Sequence, residues 1–119
     1  MKVDGSLLVD DPADAGPAAE RLETAGYAGG FSFEGRHDPF FPLAIAAQHT
    51  EHLELMPAVA IAFSRNPMTL ANIGYDLQLL SKGRFILGLG TSHKVQVEPE
   101  HGLEFTRPVP RLRECVDIV

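Results

Sequence analysis

The stretch from Ala60 to Thr91, AIAFSRNPMTLANIGYDLQLLSKGRFILGLGT, constrains the fold more than any other part of the chain. It reads as the end of a strand, a helix and a second strand, joined by turns. Asn66 is a good helix N-cap, because its side-chain oxygen can accept a free N–H of the first turn. Pro67 follows at the first helical position, where no N–H is needed. Leu70, Ile73, Leu77 and Leu80 recur at helical spacing and predict one apolar face. Lys82 lies near the negative end of the helix dipole, and Gly83 can take the left-handed conformation that closes a helix. Arg84 to Gly90 is then an apolar run of strand length ending in Gly-Leu-Gly. Strand, helix, strand in this order is a βαβ unit with parallel strands.

The same alternation runs through the rest of the chain. Met1 to Val9 reads as a first strand, broken by Asp10, Asp11 and Pro12. A helix is expected from about Pro17, with Ala18, Leu22 and Ala25 inward and Gly26 ending it. Tyr27 to Phe33 is a second strand, in which Gly29-Gly30 marks a close backbone approach. Glu34 to Asp38 is a loop, and Asp38 can cap a helix opened by Pro39 and running to about Thr50. Its inward residues are Leu43, Ala44, Ala46 and Ala47. Leu53 to Ala62, nearly continuous in apolar residues, suits a strand covered on both faces. Thr91 to Arg107 reads as a long loop. A last helix opens at Pro108 or Pro110, with Val109, Leu112, Val116 and Val119 on one face. Four strands and four helices in strict alternation predict a parallel sheet within a single domain, 1–119.

Composition excludes several functions. Asp plus Glu is 16 against 10 Lys plus Arg, a net charge of −6, which argues against a nucleic-acid-binding face. No apolar run is long enough to span a bilayer, and the N-terminus lacks the pattern of a signal peptide. Cys115 is the one cysteine, so no internal disulfide forms, and it reads as a small buried apolar residue. Together these features predict a cytosolic protein without membrane contact.

The strand ending Phe63-Ser64-Arg65-Asn66-Pro67, the helix after it, and Leu80-Ser81-Lys82-Gly83-Arg84-Phe85-Ile86-Leu87-Gly88-Leu89-Gly90 resemble the luciferase-like monooxygenase superfamily, in particular its coenzyme F420-dependent oxidoreductases. The resemblance covers nearly the whole chain but only the N-terminal part of such an enzyme. It implies a (β/α)₈ TIM barrel, of which this chain carries about the first four βα units; a complete barrel needs roughly 250 residues. A self-contained four-stranded α/β sheet is the alternative. In function it implies hydride transfer between the deazaflavin and a small organic substrate. The alternatives are flavin mononucleotide (FMN) with oxygen, or a non-catalytic half-barrel acting as an assembly partner. The open edges of a half-barrel predict a homo-oligomer or a complementing second half.

In a barrel the site is built from the loops after the strands. Those loops carry Glu34, His37, Asp38, Arg65, His93 and Lys94. His37 with Glu34 would make an acid/base pair, the catalytic residues expected here. A plain surface histidine is the alternative; Asp38 reads as a cap, and Arg65 and Lys94 as solvated cations. The resemblance also implies a non-prolyl cis peptide near Ala58-Val59, backing the cofactor ring. It thereby assigns Ala58, Val59 and Ala60 to the cofactor, with Gly88, Gly90 and Thr91 at the end of the fourth strand. Gly88-Leu89-Gly90 does not complete a dinucleotide fingerprint, since His93 stands at the third glycine position and no helix is expected directly after it. His49 and His52 share a helical spacing, but two ligands do not make a metal site, and none is expected.

Overall fold

The computed structural model describes residues 1–119. Strands β1 (Asp4–Ser6), β2 (Gly29–Ser32) and β3 (Glu54–Pro57) lie parallel in that order, with Gly5 beside Gly30 and Gly30 beside Leu55. Ala28 N–H donates to the Val3 carbonyl (2.8 Å) and Leu7 N–H to that of Phe31 (2.7 Å), so pairing extends one residue beyond each end of β1. The first strand is shorter than Met1 to Val9 because β2 ends at Ser32 and leaves Leu8 exposed. The third strand is divided. β3 stops at Pro57, the Ala58–Val59 peptide is cis where the family resemblance places it, and pairing resumes in β4 (Ala60–Ile61). A 3-10 turn, Ala62–Ser64, follows.

The fourth strand runs beside the third in two pieces. Leu55 N–H donates to the Arg84 carbonyl (3.0 Å) and Ile86 N–H returns to that of Leu55 (2.9 Å). Further on, β5 (Leu89–Gly90) pairs with β4, Ala60 facing Leu89 and Ile61 facing Gly90. All the strands are parallel, so their C-terminal ends share one edge.

Five helices, not four, accompany the strands: α1 (Ala15–Thr24), α2 (Phe40–His49), α3 (Pro67–Leu80), α4 (Lys94–His101) and α5 (Pro108–Ile118). The first begins earlier than Pro17. Asp11 accepts the Ala13 N–H (2.9 Å) and opens a 3-10 turn that runs straight into it. Pro17 therefore falls in the first turn, where its missing N–H costs nothing. The earlier start turns Ala15, Gly16 and Ala19 inward, with Ala18 and Leu22 partly buried, while Ala25 is exposed beyond the helix end. Gly26 takes φ +83° and closes the turn. Asn66 caps α3 as its spacing predicts, accepting the Met68 N–H (2.9 Å). Leu70 and Leu77 are buried and Ile73 partly so, but Leu80 is exposed. Ten residues at 3.6 per turn place Leu80 about 80° round the helix from Leu70.

The core lies between the sheet and α2 and α3, where Leu43, Leu53, Leu55 and Leu70 are fully buried beside Phe40, Leu77 and Phe85. Arg84 ties its lower end together. Its guanidinium donates to the carbonyls of Ala47, Thr50, Leu53 and Ser81 at 2.7–3.1 Å, satisfying the open C-terminus of α2. His49 packs on Gly16 and its Nδ1 meets Glu20 Oε1 at 2.8 Å, so it joins α1 to α2.

Glu23 organises the turn after α2 by accepting the N–H groups of Glu51, His52 and Leu53 at 2.6–3.2 Å. Partial burial pushes its carboxyl up, but the three backbone donors and nearby His52 outweigh this and hold it below the usual carboxylate range. A carboxyl lowered on folding stabilises the protein above its unfolded pKa, and that contribution is lost as pH falls through the folded value. Glu23→Gln is therefore expected to cost about 1 kcal/mol at neutral pH, small because the group keeps contact with water. The gap to wild type should close in acid. Urea titrations at neutral pH and at about pH 3 check this; a gap of constant size would refute it.

Two expectations for the C-terminal third fail. The span 91–107 is not a plain loop, since it contains α4, anchored by fully buried Val97 and closed by Gly102 at φ +64°. Pro99 is tolerated inside this short helix because the carbonyl it leaves unpaired belongs to Val95, which is 84% exposed and open to water. In α5 the residues turned inward are Leu112 and Cys115, while Val109, Val116 and Val119 are exposed. The Arg111 guanidinium lies 4.4 Å over the Phe63 ring, which also meets Phe105 edge-on, and this stack fixes the rotation of α5. Cys115 is buried as expected, and burial pushes its thiol up.

Candidate active site

The strand C-termini gather the loop after β2 (residues 34–38), the end of β4 and the end of β5. Two short bonds shape the first loop: Ser32 Oγ donates to the Pro39 carbonyl (2.7 Å), and Asp38 Oδ1 accepts the Phe40 N–H (2.9 Å), capping α2 as predicted. Asp38 also does what its sequence context did not reveal, because its other oxygen takes Arg65 Nη2 at 2.7 Å.

Arg65 is not solvated. Its side chain is 13% exposed, lies 5.3 Å over the Phe40 ring, and also donates through Nη1 to Glu34 Oε2 (2.8 Å) and Ser64 Oγ (3.0 Å). Burial pushes the guanidinium down, but Glu34 and Asp38 outweigh that and hold it above its ordinary range. Glu34 Oε2 accepts the Ile61 N–H as well, at 2.6 Å. One carboxylate thus joins the loop after β2 to β4.

Glu34 and His37 do not pair with each other. Glu34 is occupied by Arg65 and Ile61, whereas His37 Nε2 lies 2.7 Å from the Asp10 carbonyl, in the loop after β1. His37 lines a cleft of about 420 Å³ at the ends of β1 and β2, whose walls include Leu7, Leu8, Phe33 and Pro42. A smaller polar hollow of about 220 Å³ adjoins it across residues 35–38. Its far side is formed by Gln96, Glu100 and His101 of α4. Sequence reasoning missed these three because it read 91–107 as a loop; Gly102, a helix stop, was the available signal. His93 and Lys94 belong to the start of α4, where Lys94 Nζ lies 3.8 Å from Glu98. A helix does therefore open soon after Gly90, contrary to the sequence reading.

The residues assigned to the cofactor divide. Ala58 and Val59 are exposed, and Val59 packs directly on Gly90, with partly buried Thr91 next in sequence. Together they form a largely apolar shelf beside the end of β5. Ala60 is fully buried in the core. Gly88 is explained by the sheet, since a Cβ there would collide with the Pro57 carbonyl oxygen.

A four-stranded parallel βα array with loop-borne polar groups at its C-terminal edge defines an α/β protein of the barrel type. The luciferase-like monooxygenase family model matches residues 2–119, and the chain belongs to that family. It is 48% identical over 116 residues to the uncharacterised protein Rv1360 of Mycobacterium tuberculosis, an alignment covering 98% of this chain and 34% of that protein. It is 38% identical over 98 residues to Rv3520c of the same organism, provisionally named a coenzyme F420-dependent oxidoreductase, with 82% of this chain and 28% of that one covered. The FMN complex of the oxygenating constituent of 3,6-diketocamphane monooxygenase from Pseudomonas putida superposes with TM-score 0.85 at 18% identity, covering 98% of this chain and 38% of that one. The chain thus spans about a third of the length of the relatives it matches. No helix is long and apolar enough to cross a membrane.

Proposed function

We propose that this chain supplies the ring-facing and proton-handling part of a coenzyme F420-dependent oxidoreductase acting on a small organic substrate. The observation that carries this reading is the Glu34 bridge to Ile61, which brings the His37 loop to the same edge as the Val59–Gly90 shelf. Ala58, Val59, Gly90 and Thr91 would hold the deazaflavin ring, and the bound cofactor would supply hydride transfer. His37 would exchange the proton, and Glu34, bonded to Arg65 and to the Ile61 N–H, would fix the loop that carries it. The identity to Rv3520c supports F420, whereas the FMN-bound structure, at 18% identity, speaks for the fold alone. FMN is the second reading because that fold accommodates it. A second copy or a complementing half-barrel would complete the sheet.

Titration of the purified protein with F420 and with FMN tests this. We expect F420 to bind more tightly. Gly90→Phe should weaken binding at least about tenfold, a loss of roughly 1.4 kcal/mol, while the far-ultraviolet circular dichroism of the helices stays as in wild type. Binding of neither cofactor, or an unchanged affinity in the variant, would refute the placement of the ring.

A further inference from the structure

We propose that two copies of this chain close one barrel, the open edge of β1 in each copy pairing in parallel with the open edge of the fourth strand, residues 84–90, in the other. The proposal deepens the half-barrel reading above and rests on that part of it, not on the choice of cofactor. The sheet is covered on one face only. Gly5 looks onto Leu22 of α1, and Leu7, Leu55 and Phe85 join the core with α2 and α3. Alternate residues point the other way, and there Leu8, Phe33 and Ile86 are exposed and Phe31 and Met56 half-buried. An all-parallel sheet ordinarily buries both faces. Both edges are open too. The Leu7 N–H is taken by the Phe31 carbonyl, so the alternation of a parallel ladder turns the backbone groups of Asp4 and Ser6 outward. Arg84, Ile86 and Gly88 bond to the third strand, which turns those of Leu87 and Leu89 outward.

A second copy fits these features. Four strands are half of a closed eight-stranded barrel. A two-fold axis along the strands brings the same two edges together twice, keeps every strand parallel and leaves no edge free. The bare faces then meet in the interior, which a barrel of this size fills with side chains. On the helix side, Val3 at one edge and Val116 of α5 at the other are each about half exposed, and the pairing would cover both. The C-terminal ends of the paired strands are opposite in charge: exposed Asp10 and Asp11 follow β1, and exposed His93 and Lys94 follow β5. Asp10 and Lys94 are only loosely engaged within their own copy, with Arg36 at 3.7 Å and Glu98 at 3.8 Å.

Sedimentation equilibrium of the purified full chain, with hydrogen exchange read by mass spectrometry, tests this. At micromolar concentration we expect one species of twice the chain mass. Segments 4–6 and 87–89 should exchange at least about tenfold more slowly in it than after dilution to the monomer. Ile86→Lys would place a charge in the interior of the dimer, but in one copy alone that position is 47% exposed and tolerates it. The variant should associate at least about tenfold more weakly, with the circular dichroism of its helices as in wild type. A chain that stays monomeric would overturn the proposal and point to a partner half on another polypeptide. Open-ended association without a limiting mass would overturn it too, as would a dimer whose two segments exchange as in the monomer, or a folded Ile86→Lys protein that dimerises like wild type. None of these measurements needs a cofactor or turnover, so their failure is distinguishable from failure of the F420 titration.

Discussion

Gly88→Ala is expected to destabilise the protein by about 3 kcal/mol, the upper end of what overpacking costs, or to prevent folding. The added Cβ would meet the carbonyl oxygen of Pro57, a backbone atom that no rotamer change can move. Nor can the two strands separate freely at this point. The Gly88 carbonyl accepts the Ala60 N–H at 2.9 Å, and that bond restarts strand pairing after the break at Ala58–Val59. Backing away from the collision would break it. Gly74→Ala is the control, for its Cβ would meet Leu87 Cδ2 at an ordinary 3.5 Å. A glycine inside a helix is unfavourable, so this variant should gain about 0.5–1 kcal/mol. Denaturant unfolding of both variants decides the matter. A Gly88→Ala protein as stable as wild type would mean that the glycine is not required by the sheet.

Arg65→Ala is expected to cost about 2–3 kcal/mol. Removing one partner of a largely buried ion pair leaves charge uncompensated, worth roughly 3–5 kcal/mol in a fully buried setting. The smaller figure applies because Asp38 is 34% exposed and can recover some hydration, whereas Glu34 is only 11% exposed. The loss also removes the stack on Phe40 and the donor to Ser64. Arg65→Lys should recover less than half, since one ammonium cannot reproduce a fork that binds two carboxylates at once. Melting curves of the three proteins test this, and a loss below about 0.5 kcal/mol for the alanine variant would place Arg65 among ordinary surface pairs. Because Glu34 stays bonded to the Ile61 N–H, the loop should loosen rather than detach. Increased amide exchange confined to residues 34–38 would show that.

The local signals in the sequence determined local structure. Asn66-Pro67 set the start of α3, Asp38 capped α2, and glycines 26 and 83 closed the turns with positive φ, because each of these depends on one residue's own stereochemistry. The alternation of apolar strands with helical spacings likewise gave the parallel βα array, and the Phe63-to-Gly90 motif pointed to the family. Tertiary structure decided what depended on partners distant in sequence. Arg65 looked solvated until the fold brought Glu34 and Asp38, 31 and 27 residues away, against it. Glu34 and His37 looked like a pair because they are near in sequence, but one is bonded to β4 and the other to the loop after β1. The face α5 presents follows the Arg111–Phe63 stack rather than its row of valines, and α4 exists because one valine, Val97, has a buried place to go. Periodicity reports which residues can share a face; which face is covered, and which charges meet, depends on elements the chain brings in from elsewhere.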